Sequence, residues 1–128
     1  MKRTARLVAA AALTLSGLWL GTAQASAASL PSCTVAVPNL GVFFPGTSSA
    51  STDCVLGVGN QSEAVNVLQS AMTYCNGESV SIDGVFGPAT KAALVRLQSR
   101  LGVSADGVYG PQTRNAMHFL YFNGGGCR

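Results

Sequence analysis

The chain has 128 residues, 48% apolar and only 10% charged, with 8 Lys+Arg against 5 Asp+Glu and four cysteines. That length suits one small domain and excludes a multidomain enzyme. The formal charge of +3 would favour an anionic partner only if the basic residues belong to the folded part.

They do not. Lys2, Arg3 and Arg6 head a charge-free run from Leu7 to Leu20, followed by Ala23-Gln24-Ala25 and Ala25-Ser26-Ala27. This is the layout of a secretory signal covering residues 1–25, with the cut at residue 28 at the latest. The apolar run is shorter than the ~20 residues that cross a bilayer, so no stable membrane insertion is expected once the signal is removed. What remains carries Lys91, Arg96, Arg100, Arg114 and Arg128 against Asp53, Glu63, Glu78, Asp83 and Asp106, five against five. Electrostatic binding to nucleic acid thereby loses its support. Cys33, Cys54, Cys75 and Cys127 all stay in the exported part. An even count in a small secreted chain implies two disulfides, and three connectivities are open. With a single histidine, His118, and no Cys-x-x-Cys spacing, a zinc site is not expected.

Residues 29–54 read as an N-terminal arm. Thr34–Val37 and Val42–Phe44 are short β-prone runs around Pro38-Asn39-Leu40, a hairpin pattern, and 46–52 is a small polar connection. From Gly59 the period becomes helical. Asn60 with Glu63 matches a capping box, and Ala64, Val65, Val67, Leu68, Ala71 and Met72 share one arc of a wheel. Glu63, Asn66, Gln69, Ser70, Thr73 and Tyr74 fall on the other, and Asn76-Gly77 ends the helix. Asn60 also opens a formal glycosylation sequon, but the cap explains it better.

An internal repeat follows. Asp83-Gly-Val-Phe-Gly-Pro-Ala-Thr-Lys-Ala-Ala-Leu94 recurs 23 residues later as Asp106-Gly-Val-Tyr-Gly-Pro-Gln-Thr-Arg-Asn-Ala-Met117, seven of twelve positions being identical. Each copy is an Asp-Gly turn followed by a helix that starts on a proline, Pro88 or Pro111. Thr90, Ala93, Leu94 and Leu97 form one apolar face; Thr113, Ala116, Met117 and Leu120 form its counterpart, with Gly102 and Gly124 as the ends. The pattern predicts an all-α fold: a three-helix bundle with an internal turn-helix repeat, a short β-prone arm and two disulfides, its helical domain covering 55–128.

The series Leu56-x-x-Gly59-x-x-Ser62-x-x-Val65-x-x-Leu68-Gln69, then Ile82-Asp-Gly-Val-Phe-Gly-Pro-Ala-Thr90, Leu97-Gln98 and Asp106-Gly-Val-Tyr-Gly-Pro-x-Thr113, resembles the peptidoglycan-binding domain of bacterial cell-wall hydrolases. The resemblance covers about residues 55–122; Ser62 stands where the family often has glycine. It implies a non-catalytic module, free-standing here, whose ligand is the glycan or stem peptide of the wall, with a cell-wall hydrolase as a candidate partner in trans and no cofactor. Localisation would be extracellular or wall-associated. It also favours Cys127 pairing with Cys33 or Cys54. The alternative is an extracellular interaction or inhibitor protein that reuses the fold.

Catalysis lacks residues to carry it. One histidine cannot build a zinc hydrolase centre, and His118, read as lying on the third helix, serves better as a surface contact. Asp83 and Asp106 are a tempting glycosidase pair, but the repeat gives both the same turn-capping role. For ligand contact the two turns bring forward Asp83, Phe86, Asp106 and Tyr109, with Arg96 and Gln98 on the helix between them. Phe86 and Tyr109 could equally plug the core. A second candidate surface is the patch of His118, Phe119 and Phe122, which Val42, Phe43 and Phe44 of the arm are expected to cover.

Overall fold

The computed structural model describes residues 29–128, so the export signal read in residues 1–25 lies outside the described residues. In chain order the elements are β1 (Val35–Asn39), β2 (Val42–Gly46), α1 (Glu63–Cys75), α2 (Pro88–Leu101) and α3 (Pro111–Ala116). The prediction of an all-α three-helix bundle is therefore wrong. The arm is an antiparallel two-stranded sheet, and the third helix is a stub of 6 residues.

The hairpin closes through Leu40-Gly41, whose φ angles of 52° and 86° are those of a two-residue turn matched to strand twist. Val37 and Val42 face inward, at 7% and 0% exposure. The hairpin packs on α1 through both strands.

Helix α1 buries Ala64, Val65, Leu68, Ala71 and Met72, as its pattern requires, and also Gln69. Its cap differs from the sequence reading. Ser62 is the N-cap residue, while the Asn60 side chain accepts from the Gly57 N–H at 2.8 Å and Glu63 accepts from the Ala36 N–H at 3.3 Å. The capping-box residues thus fasten the Gly57 loop and strand β1, not the helix start. Helix α2 runs over the predicted residues, buries Thr90, Ala93, Leu94 and Leu97, and ends on left-handed Gly102. These faces join Leu56, Phe86, Tyr109, Met117 and Phe119 in one core cluster. Each Val, Leu, Met or Phe among them is worth roughly 1.5–3 kcal/mol when fully buried.

Helix α3 stops early because Asn76, at the end of α1, takes both backbone groups of His118. The Asn76 amide donates to the His118 carbonyl at 2.7 Å, and its oxygen accepts the His118 N–H at 3.1 Å. From Met117 the chain is extended and alternates, with Met117 and Phe119 inside and His118 outside. Tyr121 pairs antiparallel with Val42, and Leu120 with Cys127, so the C-terminal segment adds to the hairpin's sheet edge. His118 is on no helix. The arm covers only part of the patch expected under it: Phe44 meets Phe119 and Phe43 meets Phe122, with ring centroids 4.7 and 4.3 Å apart, but only Phe119 is buried, and Phe122 stays 51% exposed.

Both disulfides join near neighbours in space, Cys33 with Cys54 and Cys75 with Cys127, at Cα separations of 5.1 and 5.6 Å. The pairing implied by the family resemblance, Cys127 with Cys33 or Cys54, is overturned. Cys54 already closes the base of the hairpin, and the C-terminal segment returns to the end of α1, where Cys75 stands. Loop closure over 52 residues for Cys75–Cys127 and 21 for Cys33–Cys54 corresponds to about 4 and about 3 kcal/mol. The double variant Cys75→Ser/Cys127→Ser should accordingly lose more stability in urea titration than Cys33→Ser/Cys54→Ser, with the amides of Phe119 and Tyr121 losing exchange protection first.

Candidate functional site

Each Asp-Gly turn is organised by a buried glutamine from the preceding helix. Gln69 of α1 donates to the Asp83 carboxylate at 3.0 Å, the Val85 carbonyl at 3.0 Å and the Thr90 hydroxyl at 3.2 Å, and accepts from the Asp83 and Gly84 N–H groups at 3.0 and 2.9 Å. Gln98 of α2 repeats this, donating to Asp106 at 3.2 Å, the Val108 carbonyl at 2.9 Å and Thr113 at 3.0 Å, and accepting from the Gly107 N–H at 2.9 Å. Both glutamines are 0% exposed. The backbone here favours glycine: Gly84 and Gly107 have φ of +73° and +71°, and a Cβ on Gly107 would meet the Lys91 side chain at 2.7 Å.

The six candidate contact residues therefore divide. Phe86, Gln98 and Tyr109 are interior, at 1%, 0% and 0% exposure, and present no surface to a ligand. Beside the two turns runs segment 55–62, which bends at Val58-Gly59 and pairs Leu56 with Tyr109 and Gln61 with Val85, while both aromatic side chains drop into the core. Asp83 and Asp106 lie at the surface, but one oxygen of each holds its own turn, accepting from the Val85 and Val108 N–H groups at 3.0 and 2.9 Å. The bond from Val85, then that from Gln69, holds the Asp83 carboxyl below the usual carboxylate range. Arg96 is at the surface too and pairs at 3.0 Å with Glu78, which Arg100 also meets at 3.1 Å. Among the described residues no three His, Cys, Asp or Glu side chains cluster as metal ligands do.

Two depressions of about 370 Å³ open on the surface. One is walled by Asn39, Phe44, Arg114, Asn115, Phe119 and Arg128. Its cations are engaged: Arg114 donates to the Thr52 carbonyl and hydroxyl and to Asp53 at 2.8, 2.8 and 2.9 Å, and Arg128 to the Leu40 carbonyl at 3.1 Å. The other lies between the hairpin, α1 and the C-terminal segment, with Phe43, Tyr121 and Phe122 on one side and Glu63, Asn66 and Ser70 on the other. Half-exposed aromatic rings beside hydrogen-bonding side chains are what a small polar ligand with an apolar face needs. The sequence reading placed Phe122 in a covered patch. It missed that Asn66 and Ser70 would stand opposite, because their proximity depends on where the C-terminal segment returns.

Residues 61–117, spanning α1, both turns, α2 and α3, match the family model described as a putative peptidoglycan binding domain. Through that segment the chain belongs to the peptidoglycan-binding domain family. Similar solved structures include a peptidoglycan-binding protein from Clostridioides difficile, solved with glutamine hydroxamate, at 40% identity and TM-score 0.49 over 51% of this chain and 40% of that one. The SleB N-terminal domain is 38% identical over 49% of this chain and 86% of that one, with a TM-score of 0.47. A fused Zn-dependent amidase/peptidase/peptidoglycan-binding protein from Clostridium acetobutylicum is 30% identical over 48% of this chain and 27% of that one, with a TM-score of 0.46. The chain thus spans less than half the length of the first and third. No curated protein matches it at a significant level.

The clamps make two predictions. Tyr109 has the reverse problem to Gln98: its hydroxyl is buried without a partner, and burial pushes the phenol above its ordinary range. Gln98→Leu should cost about 3 kcal/mol by stranding the turn's polar groups, whereas Tyr109→Phe should be neutral or stabilise by about 1 kcal/mol; thermal melts of both variants check the contrast. A carboxyl whose folded pKa lies below its unfolded value stabilises at neutral pH, and that stability is lost as pH falls through the folded value. The Asp83 contribution should fade below about pH 4, and melting profiles of Asp83→Asn should show a shallower acid loss than the parent.

Proposed function

We propose that this chain is a secreted protein that binds cell-wall peptidoglycan and performs no chemistry on it. The observation that carries the reading is the family match across residues 61–117, which takes in both glutamine-clamped turns. Four of the five carboxylates are committed elsewhere: Asp83 and Asp106 hold turns, Glu78 pairs with two arginines, and Asp53 pairs with Arg114. The fifth, Glu63, keeps one oxygen free and has no second free carboxylate to form the pair that glycoside hydrolysis uses. Two disulfides in a chain this small suit an oxidising compartment. No helix among the described residues is long and apolar enough to cross a membrane.

Binding to the wall should be carried by neutral contacts, because the exported part balances five basic against five acidic residues. In a co-sedimentation assay the oxidised protein should pellet with purified sacculi, and raising salt from about 0.05 to about 0.5 M should change the bound fraction little. Absence from the pellet would overturn the reading in favour of an extracellular protein–protein partner. A cleared band in a wall zymogram would overturn its non-catalytic part.

A further inference from the structure

The groove over α1 is assembled from two sources. Its polar side, Glu63, Asn66 and Ser70, comes from α1, inside the segment that matches the family. Its aromatic side, Phe43, Tyr121 and Phe122, comes from β2 and from the chain beyond residue 117, outside that segment. Each disulfide secures one of these additions: Cys33–Cys54 closes the base of the hairpin, and Cys75–Cys127 ties the C-terminal segment to the end of α1.

The chemistry of this groove is specific. Phe43 and Phe122 are 42% and 51% exposed although their rings touch, with an interplanar angle of 47°. Among the described residues the side chains of Asn66 and Ser70 make no hydrogen bond, and Glu63 uses one carboxylate oxygen, on the Ala36 N–H. The site therefore offers an amide, a hydroxyl and a carboxylate oxygen opposite apolar ring faces. Glu63 is the one charged side chain in its lining. An anionic ligand, whether a free peptide carboxylate or a phosphate polymer, meets a like charge there.

We propose that this groove is a saccharide subsite that takes a neutral N-acetylated pyranose unit of the glycan strand. A pyranose has a face of C–H bonds, which lies against Phe122 and Phe43, and an edge of hydroxyl and acetamido groups, which pairs with Asn66, Ser70 and Glu63. A volume of about 370 Å³ sits at the lower end of the roughly 300–1,000 Å³ typical of ligand sites, suited to one or two rings. The proposal rests on the wall-binding reading and names the part of the wall that is bound.

The test uses the oxidised protein, an N-acetylglucosamine tetrasaccharide as probe, and a free stem peptide as comparison. Adding the saccharide should shift the amide signals of Asn66, Ser70 and Phe122. Phe122→Ala and Asn66→Ala should each weaken saccharide affinity by about tenfold and lower retention on sacculi. Phe122→Tyr keeps the ring and should restore both, and an unchanged melting temperature in Phe122→Ala separates lost contact from lost fold. Retention of both alanine variants on sacculi at the parent level overturns the subsite alone. Shifts caused by the stem peptide in place of the saccharide also overturn it. Saccharide binding at the groove without retention of the parent on sacculi overturns the wall reading and leaves the subsite standing.

Discussion

A primary amide with no access to water organises the centre of this protein. Gln69 and Gln98 each sit at 0% exposure, where an unpaired amide would cost ~1–3 kcal/mol or more. The Asp-Gly turns remove that cost by presenting backbone N–H groups, a carbonyl, a carboxylate and a threonine hydroxyl to one side chain. The relation is reciprocal: the turn satisfies the glutamine, and the glutamine sets where the turn sits against the helix. Gly84 and Gly107 permit the required backbone, and Thr90 and Thr113 reach back from the next helix. The shared Asp, Gly, Val and Thr of the repeat thus contribute to one hydrogen-bonded unit, built twice.

Two clamps leave α1, α2 and the turns as a small helical core with unfinished sides. The hairpin and the C-terminal segment complete it. Val42 and Phe119 enter the core at 0% and 2% exposure, and Arg114 bonds Thr52 and Asp53 to hold the hairpin's exit against α3. Asn76 links the end of α1 to His118, and Cys75–Cys127 closes the same junction covalently. These additions complete the core and also raise an aromatic rim beside the polar face of α1.

Much of the local structure was readable before folding. Pro88, Pro111 and the Asp-Gly pairs announced the turns and helix starts because their backbone preferences are strong and local. The limits of α2 followed from Pro88 and Gly102. The wheel of α1 failed at Gln69: it assigns an amide to solvent, although a fully bonded amide is at home in a core. The Leu-Gln pairs at 68–69 and 97–98, each preceding an Asp-Gly turn, were the available signal. The third helix failed for another reason. Thr113, Ala116, Met117 and Leu120 have helical spacing, but Met117, His118 and Phe119 also alternate as a strand does, and a short window fits both periods.

By itself, then, the sequence determined the repeated turn-helix units, the number of bridges and the charge balance of residues 29–128, all properties of neighbouring residues or of composition. Tertiary structure decided the rest: which cysteines pair, where α3 ends, which of the six candidate contacts stay inside, and that Phe43 and Phe122 face α1 across a groove. Those outcomes depend on partners far apart in the chain, such as Asn76 with His118 and Val42 with Tyr121. Their cause is the competition between local helix bonds and long-range ones, and that competition is resolved only when the core closes.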